Sequence, residues 1–474
     1  MGDASSPRPI GFRELLFYAG TVVAAVAAFL AIRSAGLRLE PAVTAPAAIG
    51  QAVESTNALF HLLLALAVII VTARLVGHLF RLIDQPLVMG ELVGGIILGP
   101  SLLGRLAPGV SGRLLPPDIA PFLSVHAQLG VILYMFLVGL ELDLRAIRHQ
   151  GRATIAISHA SILLPFLLGS GLALALYPEY AGSAVSFTVF ALFIGVSMSV
   201  TAFPVLARIL TDRGISKSRM GTIALTCAAV GDATAWCLLA MVVSIAEARA
   251  RNAALTIALT IAFVVLVLKV ALPVVHRIVE RLERSPALTP TGLSIVLAAV
   301  LASAVATEFI GIHALFGAFL FGAIIPSGTR IASDLRDRLE GVVSVLFLPV
   351  FFAFTGMRTE IGLFGGAANW LLCGVIILTA CAGKFGGSLA ASRLVGLGWR
   401  DSTALSVLMN TRGLVELIVL NIGLDLNIIS PQLFAMLVLM ALVTTFLTSP
   451  LLQLLLRRHP WLEIEAVAVA TGQR

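Results

Sequence analysis

Asp232 is an acidic residue inside a long apolar stretch, C-A-A-V-G-D-A-T-A-W, of a chain in which charges are scarce. An ion at the centre of a bilayer costs at least ~2.5 kcal/mol on insertion scales, so such residues usually face the interior of a helix bundle. A carboxylate there can hold a dehydrated monovalent cation or a proton, but not both well. That competition suits a site with two mutually exclusive occupants. The alternative role is structural, with Asp232 bound to a helix end or paired with a basic residue.

Thr201 and Lys384 are two further polar residues within apolar stretches. Thr201, in S-M-S-V-T-A-F-P, offers hydroxyl and carbonyl oxygens suited to a hard cation, and capping of a helix end suits it equally well. Lys384 lies in G-K-F-G-G, where Gly383, Gly386 and Gly387 permit close helix approach. We therefore expect its ammonium group to point into packed protein, either as a fixed counter-charge or as a proton carrier.

Arg412 and Glu416 lie four residues apart in T-R-G-L-V-E-L, a spacing that allows two side chains on one helix to pair. For Glu416 we favour mutual neutralisation with Arg412. For Arg412 the pattern leaves open whether the guanidinium does more than that. Both residues, like Lys384, are candidates for charge compensation around Asp232.

The composition places these residues in a membrane. Of 474 residues, 59% are hydrophobic and 12% are charged, with a mean hydropathy of +1.02, whereas soluble domains carry about 25% charged residues. Backbone in lipid must form helices or a closed barrel. The apolar stretches are continuous rather than alternating, which excludes barrel strands. The predicted fold class is an all-α integral membrane protein that spans the bilayer many times.

Fourteen stretches are long enough to cross about 30 Å of hydrocarbon. We divide the chain into an N-terminal segment, 1–56, with one extra helix, a thirteen-helix domain, 57–456, and a short cytoplasmic tail, 457–474. The candidate spans cover residues 14–33, 57–80, 86–104, 122–142, 153–177, 185–211, 217–246, 253–275, 289–307, 311–327, 340–358, 367–391, 402–424 and 431–456.

Arginine is concentrated in the even-numbered connections, which by the positive-inside rule are cytoplasmic. Fourteen spans then place both termini in the cytoplasm. The first apolar stretch could be a signal peptide, but Glu14 beside Arg13 and the lack of a clear cleavage site favour a retained helix.

Two of the predicted spans contain helix-breaking sequences near their middle. One holds Ser197 to Pro204 and the other M-N-T-R-G, Met409 to Gly413. Proline removes a helix hydrogen bond, and broken helices at membrane depth are tolerated where they line a cavity or meet protein. The two spans are seven apart and hence oppositely oriented, as expected for inverted repeats whose discontinuous helices cross at a substrate site.

Other functions find little support in the sequence. The net charge of +7 comes from loop arginines rather than from a basic stretch interleaved with aromatics, so we expect no nucleic-acid partner. The four cysteines show no C-x-x-C pair and no histidine at metal-ligand spacing. We predict no cofactor. An enzyme is disfavoured because the spans hold no paired carboxylates or histidine cluster, and G-x-x-x-x-G-K-[ST] is absent.

Five ordered motifs carry a resemblance to the second family of monovalent cation:proton antiporters, especially plant cation/proton exchangers and their bacterial relatives. The resemblance covers about residues 57–456. The motifs are Q-P-L-V-M-G-E-L-V-G-G-I-I-L-G-P-S-L-L-G, M-F-L-V-G-L-E-L-D-L, G-V-S-M-S-V-T-A-F-P-V-L-A-R-I-L, L-P-V-F-F-A-F-T-G-M-R-T and L-M-N-T-R-G-L-V-E-L-I-V-L-N-I-G.

The resemblance implies a thirteen-helix antiporter fold, a core domain that moves against a dimerisation domain, a homodimer, and a bacterial inner membrane location. Asp232 falls where the family keeps its ion-binding aspartate, and Lys384 where many members keep a lysine facing it. Members commonly have Asp, Asn or Gln before that aspartate, whereas this chain has Gly231. Lys384 would then lack a partner there and could pair with Asp232 itself. Arg412 replaces a lysine common in the plant-type motif.

The sequence thus predicts a secondary antiporter that exchanges K⁺ or Na⁺ for H⁺, electroneutrally, by elevator-like alternating access. Asp232 would bind either occupant. Two alternatives remain open at this stage. One is a potassium efflux channel, although we expect no cytoplasmic regulatory domain of the kind such relatives carry. The other is a carrier of small organic solutes on the same scaffold.

Overall fold

The computed structural model describes residues 12–37, 58–141, 152–183, 185–213, 215, 218–247, 253–283 and 288–458. Within these ranges the ordered backbone is helical, apart from an isolated bridge between Ala181 and Ile429. Of the predicted terminal segments, residues 1–11, 38–57 and 459–474 lie outside the described part.

The first half of the chain ends with two short helices on either side of a break. Its helices are α1 (Phe12–Gly36), α2 (Ala58–Leu82), α3 (Leu87–Leu98), α4 (Leu103–Leu106), α5 (Pro108–Leu114), α6 (Ala120–Glu141), α7 (Arg152–Tyr180), α8 (Phe187–Ser199) and α9 (Phe203–Asp212).

The second half begins with a long helix and ends with another. Its helices are α10 (Arg219–Glu247), α11 (Ala253–Leu266), α12 (Leu272–Leu282), α13 (Pro290–Ile310), α14 (Ala314–Ala323), α15 (Arg330–Val342), α16 (Leu348–Met357), α17 (Ala367–Leu394), α18 (Trp399–Met409), α19 (Leu414–Asp425) and α20 (Pro431–Arg458). The π-helical turns Val267–Ala271 and Val343–Phe347 join α11 to α12 and α15 to α16.

Ten helices in the described part are long and apolar enough to cross a membrane, and the bent pair α18 and α19 makes eleven. The other three predicted spans correspond to shorter apolar helices, namely α1, the pair α8 and α9, and α14. The many-spanning all-α membrane fold is therefore confirmed. The count of fourteen spans stays a prediction.

Both predicted interruptions are present. Helix α8 ends at Ser199, Val200 is extended, and α9 starts at Phe203 with Pro204 in its first turn. Pro204 lacks a backbone N–H and its ring would clash with the carbonyl of Val200, so a regular continuous helix is disfavoured there. Helices α18 and α19 meet at 44° across residues 410–413. Here Gly413 adopts an extended conformation directly before α19.

The helices pack in two groups. The scaffold group comprises α2, α3, α6 and α13 to α16, which pack mainly against each other. The crossing group comprises α7 to α10 and α17 to α20 and contains both broken helices; α1 packs against α7 and α8. Helix α11 lies between the groups, against α10 on one side and α13 on the other. This division separates the candidate site residues, all in the crossing group, from the scaffold group.

Helices α3 and α16 of the scaffold group pack backbone to backbone through glycines. A Cβ at Gly95 would lie 2.2 Å from the carbonyl oxygen of Ala353, and one at Gly356 would lie 2.3 Å from that of Leu92. Small residues allow such close approach in membranes, where packing rather than the hydrophobic effect drives helix association. The contact between α3 and α16 consequently has no room for larger side chains at these glycines.

We expect Gly95→Ala to lower the stability of the folded protein, because the new methyl group must separate two backbones. Overpacking typically costs ~1–3 kcal/mol. Thermal unfolding in detergent, followed by loss of the monodisperse chromatographic peak, measures the effect. Gly374→Ala in α17 is the matched control, since a Cβ there meets nothing within 4 Å. An equal or higher melting temperature for Gly95→Ala than for Gly374→Ala would contradict the packing argument.

Candidate functional site

Asp232 lies in α10 with its carboxylate at the start of α9. Its Oδ2 accepts a hydrogen bond from the backbone N–H of Phe203 at 3.2 Å, and the residue is 5% exposed. Oδ1 is buried and has no hydrogen-bond partner among the described residues. Helix N-termini carry free N–H groups and a partial positive charge, which stabilise a carboxylate. One oxygen is thus held by the protein and the other is free to bind an occupant.

Lys384 and Thr201 form a chain of contacts that leads to the second break. The ammonium of Lys384 donates to the hydroxyl of Thr201 at 2.5 Å, and that hydroxyl donates to the carbonyl of Met409 at 3.3 Å. Met409 is the last residue of α18. Lys384 and Thr201 are at most 1% exposed. The lysine therefore places a positive charge near the carbonyl-bearing end of α18.

Arg412 places a positive charge at the first break, at the carbonyl-bearing end of α8, as Lys384 does near the end of α18. Its guanidinium donates to the carbonyls of Ser197 at 3.1 Å and Met198 at 2.8 Å, in the last turn of α8. It also forms an ion pair with Glu416 at 2.9 Å, and both side chains are fully buried. The helix spacing predicted the pair, whereas the bonds to α8 required the fold to bring the two breaks together.

The two breaks are also joined through their backbones. The N–H of Ala202 donates to the carbonyl of Thr411 at 3.1 Å. Thr445, from α20, receives the N–H of Arg412 at 3.0 Å and donates to its carbonyl at 2.7 Å. Backbone groups freed by the interruptions are satisfied by protein, as burial in a membrane requires.

The charges follow one pattern around the crossing. A carboxylate lies at each helix start, since Asp232 faces the beginning of α9 and Glu416 lies in the first turn of α19. A cation lies near each helix end, since Arg412 binds the last turn of α8 and Lys384 reaches α18 through Thr201. This matches the signs of the helix dipoles. Two positive and two negative side chains balance when all are ionised.

The structure brings all five sequence-predicted residues to the crossing, but it changes one predicted contact. Lys384 bonds to Thr201, and no ion pair in the described part of the chain joins it to Asp232. The structure has room for a side chain at position 231, because a Cβ at Gly231 would contact only the Ser158 hydroxyl, at 3.6 Å.

Two polar residues of the site were not singled out from the sequence. Thr445 holds the backbone of the second break, and its only sequence signal is the polar pair Thr444 and Thr445 within an apolar span. Asn410 lies in the second break, is 7% exposed, and has a buried Oδ1 without a partner among the described residues. Buried polar atoms are normally bonded, so Asn410 is a further candidate ligand. Within the described ranges no cluster of three or more His, Cys, Asp or Glu could hold a metal cofactor.

Comparison with known proteins gives the class of this fold. Residues 62–458 match the family model described as sodium/hydrogen exchanger, transmembrane. The chain belongs to this family, whose members are transporters rather than enzymes. The resemblance to monovalent cation:proton antiporters is thereby confirmed.

Relatives include both sodium and potassium antiporters by name. The Na(+)/H(+) antiporter NhaS4 of Synechocystis is 43% identical over 400 residues, covering 84% of this chain and 97% of that protein. Cation/H(+) antiporter 17 of Arabidopsis thaliana is 41% identical, covering 83% of this chain and 48% of its own. K(+)/H(+) antiporter 1 of Saccharomyces cerevisiae is 35% identical, covering 84% and 47%. This chain thus spans nearly all of the first relative and about half of the other two.

The fold is also found among solved structures. The sodium proton antiporter MjNhaP1 of Methanocaldococcus jannaschii superimposes with a TM-score of 0.56, covering 86% of this chain and 99% of that one. At 13% sequence identity, this match shows that the two proteins share a fold.

The buried Arg412–Glu416 pair supports a prediction about stability. Arg412→Met should destabilise the protein strongly, because it leaves Glu416 unpaired and two carbonyls of α8 without a donor; losing one partner of a buried pair costs ~3–5 kcal/mol. Thermal unfolding in detergent measures this. The double variant Arg412→Met/Glu416→Leu should be less destabilised than the sum of the two single variants, since it removes the unpaired charge. Strict additivity would show that the pair is not coupled.

Proposed function

We propose that this protein exchanges K⁺ or Na⁺ for H⁺ across a membrane, with Asp232 binding the cation and the proton in turn. The observation that carries the proposal is the state of its carboxylate, with Oδ2 anchored at the start of α9 and Oδ1 buried and unpartnered within the described residues. An anchored carboxylate with one free oxygen offers a place to a single positive occupant. Proton and metal ion then exclude each other, which couples their movements.

Thr201 is proposed as a second element of the cation site. Its hydroxyl already accepts from Lys384 and donates to Met409, so its capacity for a further ligand rests on the remaining lone pair and its own backbone carbonyl. It lies two residues before Phe203, whose N–H binds Asp232. Thr201 therefore places its hydroxyl oxygen, and the Lys384 ammonium bonded to it, close in the chain to Phe203, whose N–H holds the Asp232 carboxylate.

We assign Lys384, Arg412 and Glu416 to charge compensation. Arg412 and Glu416 neutralise each other, and Lys384 remains as the cation that balances Asp232 across Thr201. If Lys384 stays protonated, the loaded site gains one charge with either a proton or a monovalent cation. One-for-one exchange then moves no net charge. Gly231 supports an exchange of one cation for one proton, because it supplies no second carboxylate beside Asp232.

The structural division supports alternating access. The site residues lie in the crossing group, while the glycine-packed scaffold group contributes none of the five. Movement of the first against the second would carry the site as a unit. The channel and organic-solute alternatives fit less well, since Asp232 is only 5% exposed and the relatives bear the names of cation antiporters.

We also propose the setting in which the protein works. The arginine distribution supports cytoplasmic termini, the Synechocystis relative supports a bacterial inner membrane, and the family resemblance supports a homodimer. Exchange in this setting would contribute to ion and pH homeostasis.

Asp232→Asn is expected to reduce exchange to background, because an amide cannot take up and release a proton and binds a cation weakly. Proton movement in proteoliposomes, reported by a pH-sensitive dye after addition of Na⁺, K⁺ or Li⁺, measures the rate. Asp118→Asn serves as the matched control, since Asp118 is exposed in the connection before α6.

Correct folding of both variants is verified by size-exclusion chromatography and thermal unfolding. Exchange by Asp232→Asn at the wild-type rate would rule out the proposed site. Loss of exchange in Asp118→Asn as well would show that the assay reports something other than the site.

Electroneutral exchange predicts that no sustained current accompanies transport. Sodium or potassium jumps on a solid-supported membrane measure charge movement, while the dye measures protons on the same preparation. We expect clear proton flux without net charge transfer. A sustained current would mean that a second proton moves per cycle, which would make Lys384 a proton carrier instead of a fixed counter-charge.

A further inference from the structure

Arg358 joins the two helix groups at one end of the bundle. It follows α16, the last helix of the scaffold group, and its guanidinium bonds to Asp425 at 2.6 Å and to the Asn421 side chain at 3.0 Å. Both acceptors belong to α19, the second half of a broken helix. The guanidinium also lies 5.5 Å from the ring centroid of Phe354 and 5.9 Å from that of Phe434. Arg358 thus connects a scaffold helix with α19 and α20 of the crossing group.

A second bond lies one helix turn deeper. The side-chain amide of Asn421 donates to the hydroxyl of Thr355 at 2.8 Å, and Thr355 is fully buried. Asn421 is only 7% exposed. The Arg358–Asp425 and Asn421–Thr355 contacts therefore close the gap between α16 and α19 from the surface inwards. We call these four residues the end clamp.

Contacts between the groups at the opposite end are weaker. Arg213, after α9, approaches Asp84 at 3.5 Å, but the Asp84 side chain is 68% exposed. Gln85 donates to the carbonyl of Phe446 at 3.3 Å. Exposed ion pairs contribute little. The Asp425 side chain is itself 39% exposed, so the difference between the ends lies in the shorter ion pair and in the buried Asn421–Thr355 bond beneath it. The two ends of the bundle are thus closed unequally.

We propose that the end clamp is a gate, which must open for the crossing group to move against the scaffold group and which holds the bundle closed at that end until it does. The positive-inside rule places this end on the outer side of the membrane. This inference rests on the proposed exchange function and adds the residues that regulate it. All four clamp residues lie outside the ion-binding set around Asp232.

Cross-linking tests the gate directly. In a background whose four native cysteines are replaced by alanine, Thr355→Cys/Asn421→Cys places thiols where the two side chains now touch, within reach of a short bifunctional thiosulfonate. Cross-linking should lower exchange in proteoliposomes by about tenfold or more, as expected when a conformational step is blocked. Reduction should restore the rate of the same sample.

A matched pair inside the scaffold group controls for the reagent. Ala73→Cys/Gly94→Cys joins α2 and α3, because a Cβ at Gly94 lies 3.5 Å from the Cα of Ala73. Cross-linking this pair should leave exchange unchanged, since both helices belong to one group. An undiminished rate in the cross-linked Thr355→Cys/Asn421→Cys protein, with the link verified by mass spectrometry, would overturn the gate.

A labelling experiment is independent of transport. Asn421→Cys should react slowly with a membrane-impermeant maleimide, and adding Arg358→Gln should raise that rate by about fivefold, because the population of the open end increases. An unchanged labelling rate would overturn the clamp even where exchange is normal. Absence of exchange by the unmodified protein would instead remove the proposed function, while the labelling still decides whether the end opens.

Discussion

Two helices that stop and restart inside the membrane are the constraint on which this structure depends. Each interruption leaves N–H groups and carbonyls without helical partners, at a depth where water cannot supply them. The protein answers with four buried charges, placing Asp232 and Glu416 at helix starts and Arg412 and Lys384 toward helix ends. Neither the charges nor the breaks would be tolerable separately, because each satisfies what the other leaves unpaired.

The same arrangement leaves one oxygen of the buried Asp232 without a protein partner, as the proposed exchange requires. Asp232 is anchored by one oxygen only, and the basic side chain of Lys384 is bonded to Thr201 instead. A direct salt bridge would have filled the site with a fixed cation. With Lys384 bonded to Thr201, Oδ1 of Asp232 has no hydrogen-bond partner among the described residues. In the proposed function, a small mobile cation or a proton completes the balance.

The rest of the fold separates the scaffold group from the crossing group, which carries the candidate site. Glycines such as Gly95 and Gly356 lock the scaffold helices backbone against backbone, which leaves little freedom within that group. The crossing group is held together by the bonds between the breaks. The two groups share one apolar core, in which Trp236 packs against Phe316 and Phe319, and polar contacts join them at their ends. Such an arrangement suits the relative motion of two helix groups on which the proposed exchange depends.

The sequence determined the class of structure and most of the site. Long apolar stretches require helices in lipid, Pro204 and the M-N-T-R-G stretch favour breaks, and rare buried charges such as Asp232 and Lys384 must face protein. These inferences follow from local composition and from the high cost of polar groups in hydrocarbon. Only the tertiary structure decided which groups meet: that Lys384 bonds to Thr201 rather than to Asp232, that Arg412 reaches across to α8, and that Thr445 holds the second break. These contacts join residues from 33 to 215 positions apart in the chain, and at such separations the partner is chosen by packing geometry, which no local pattern encodes.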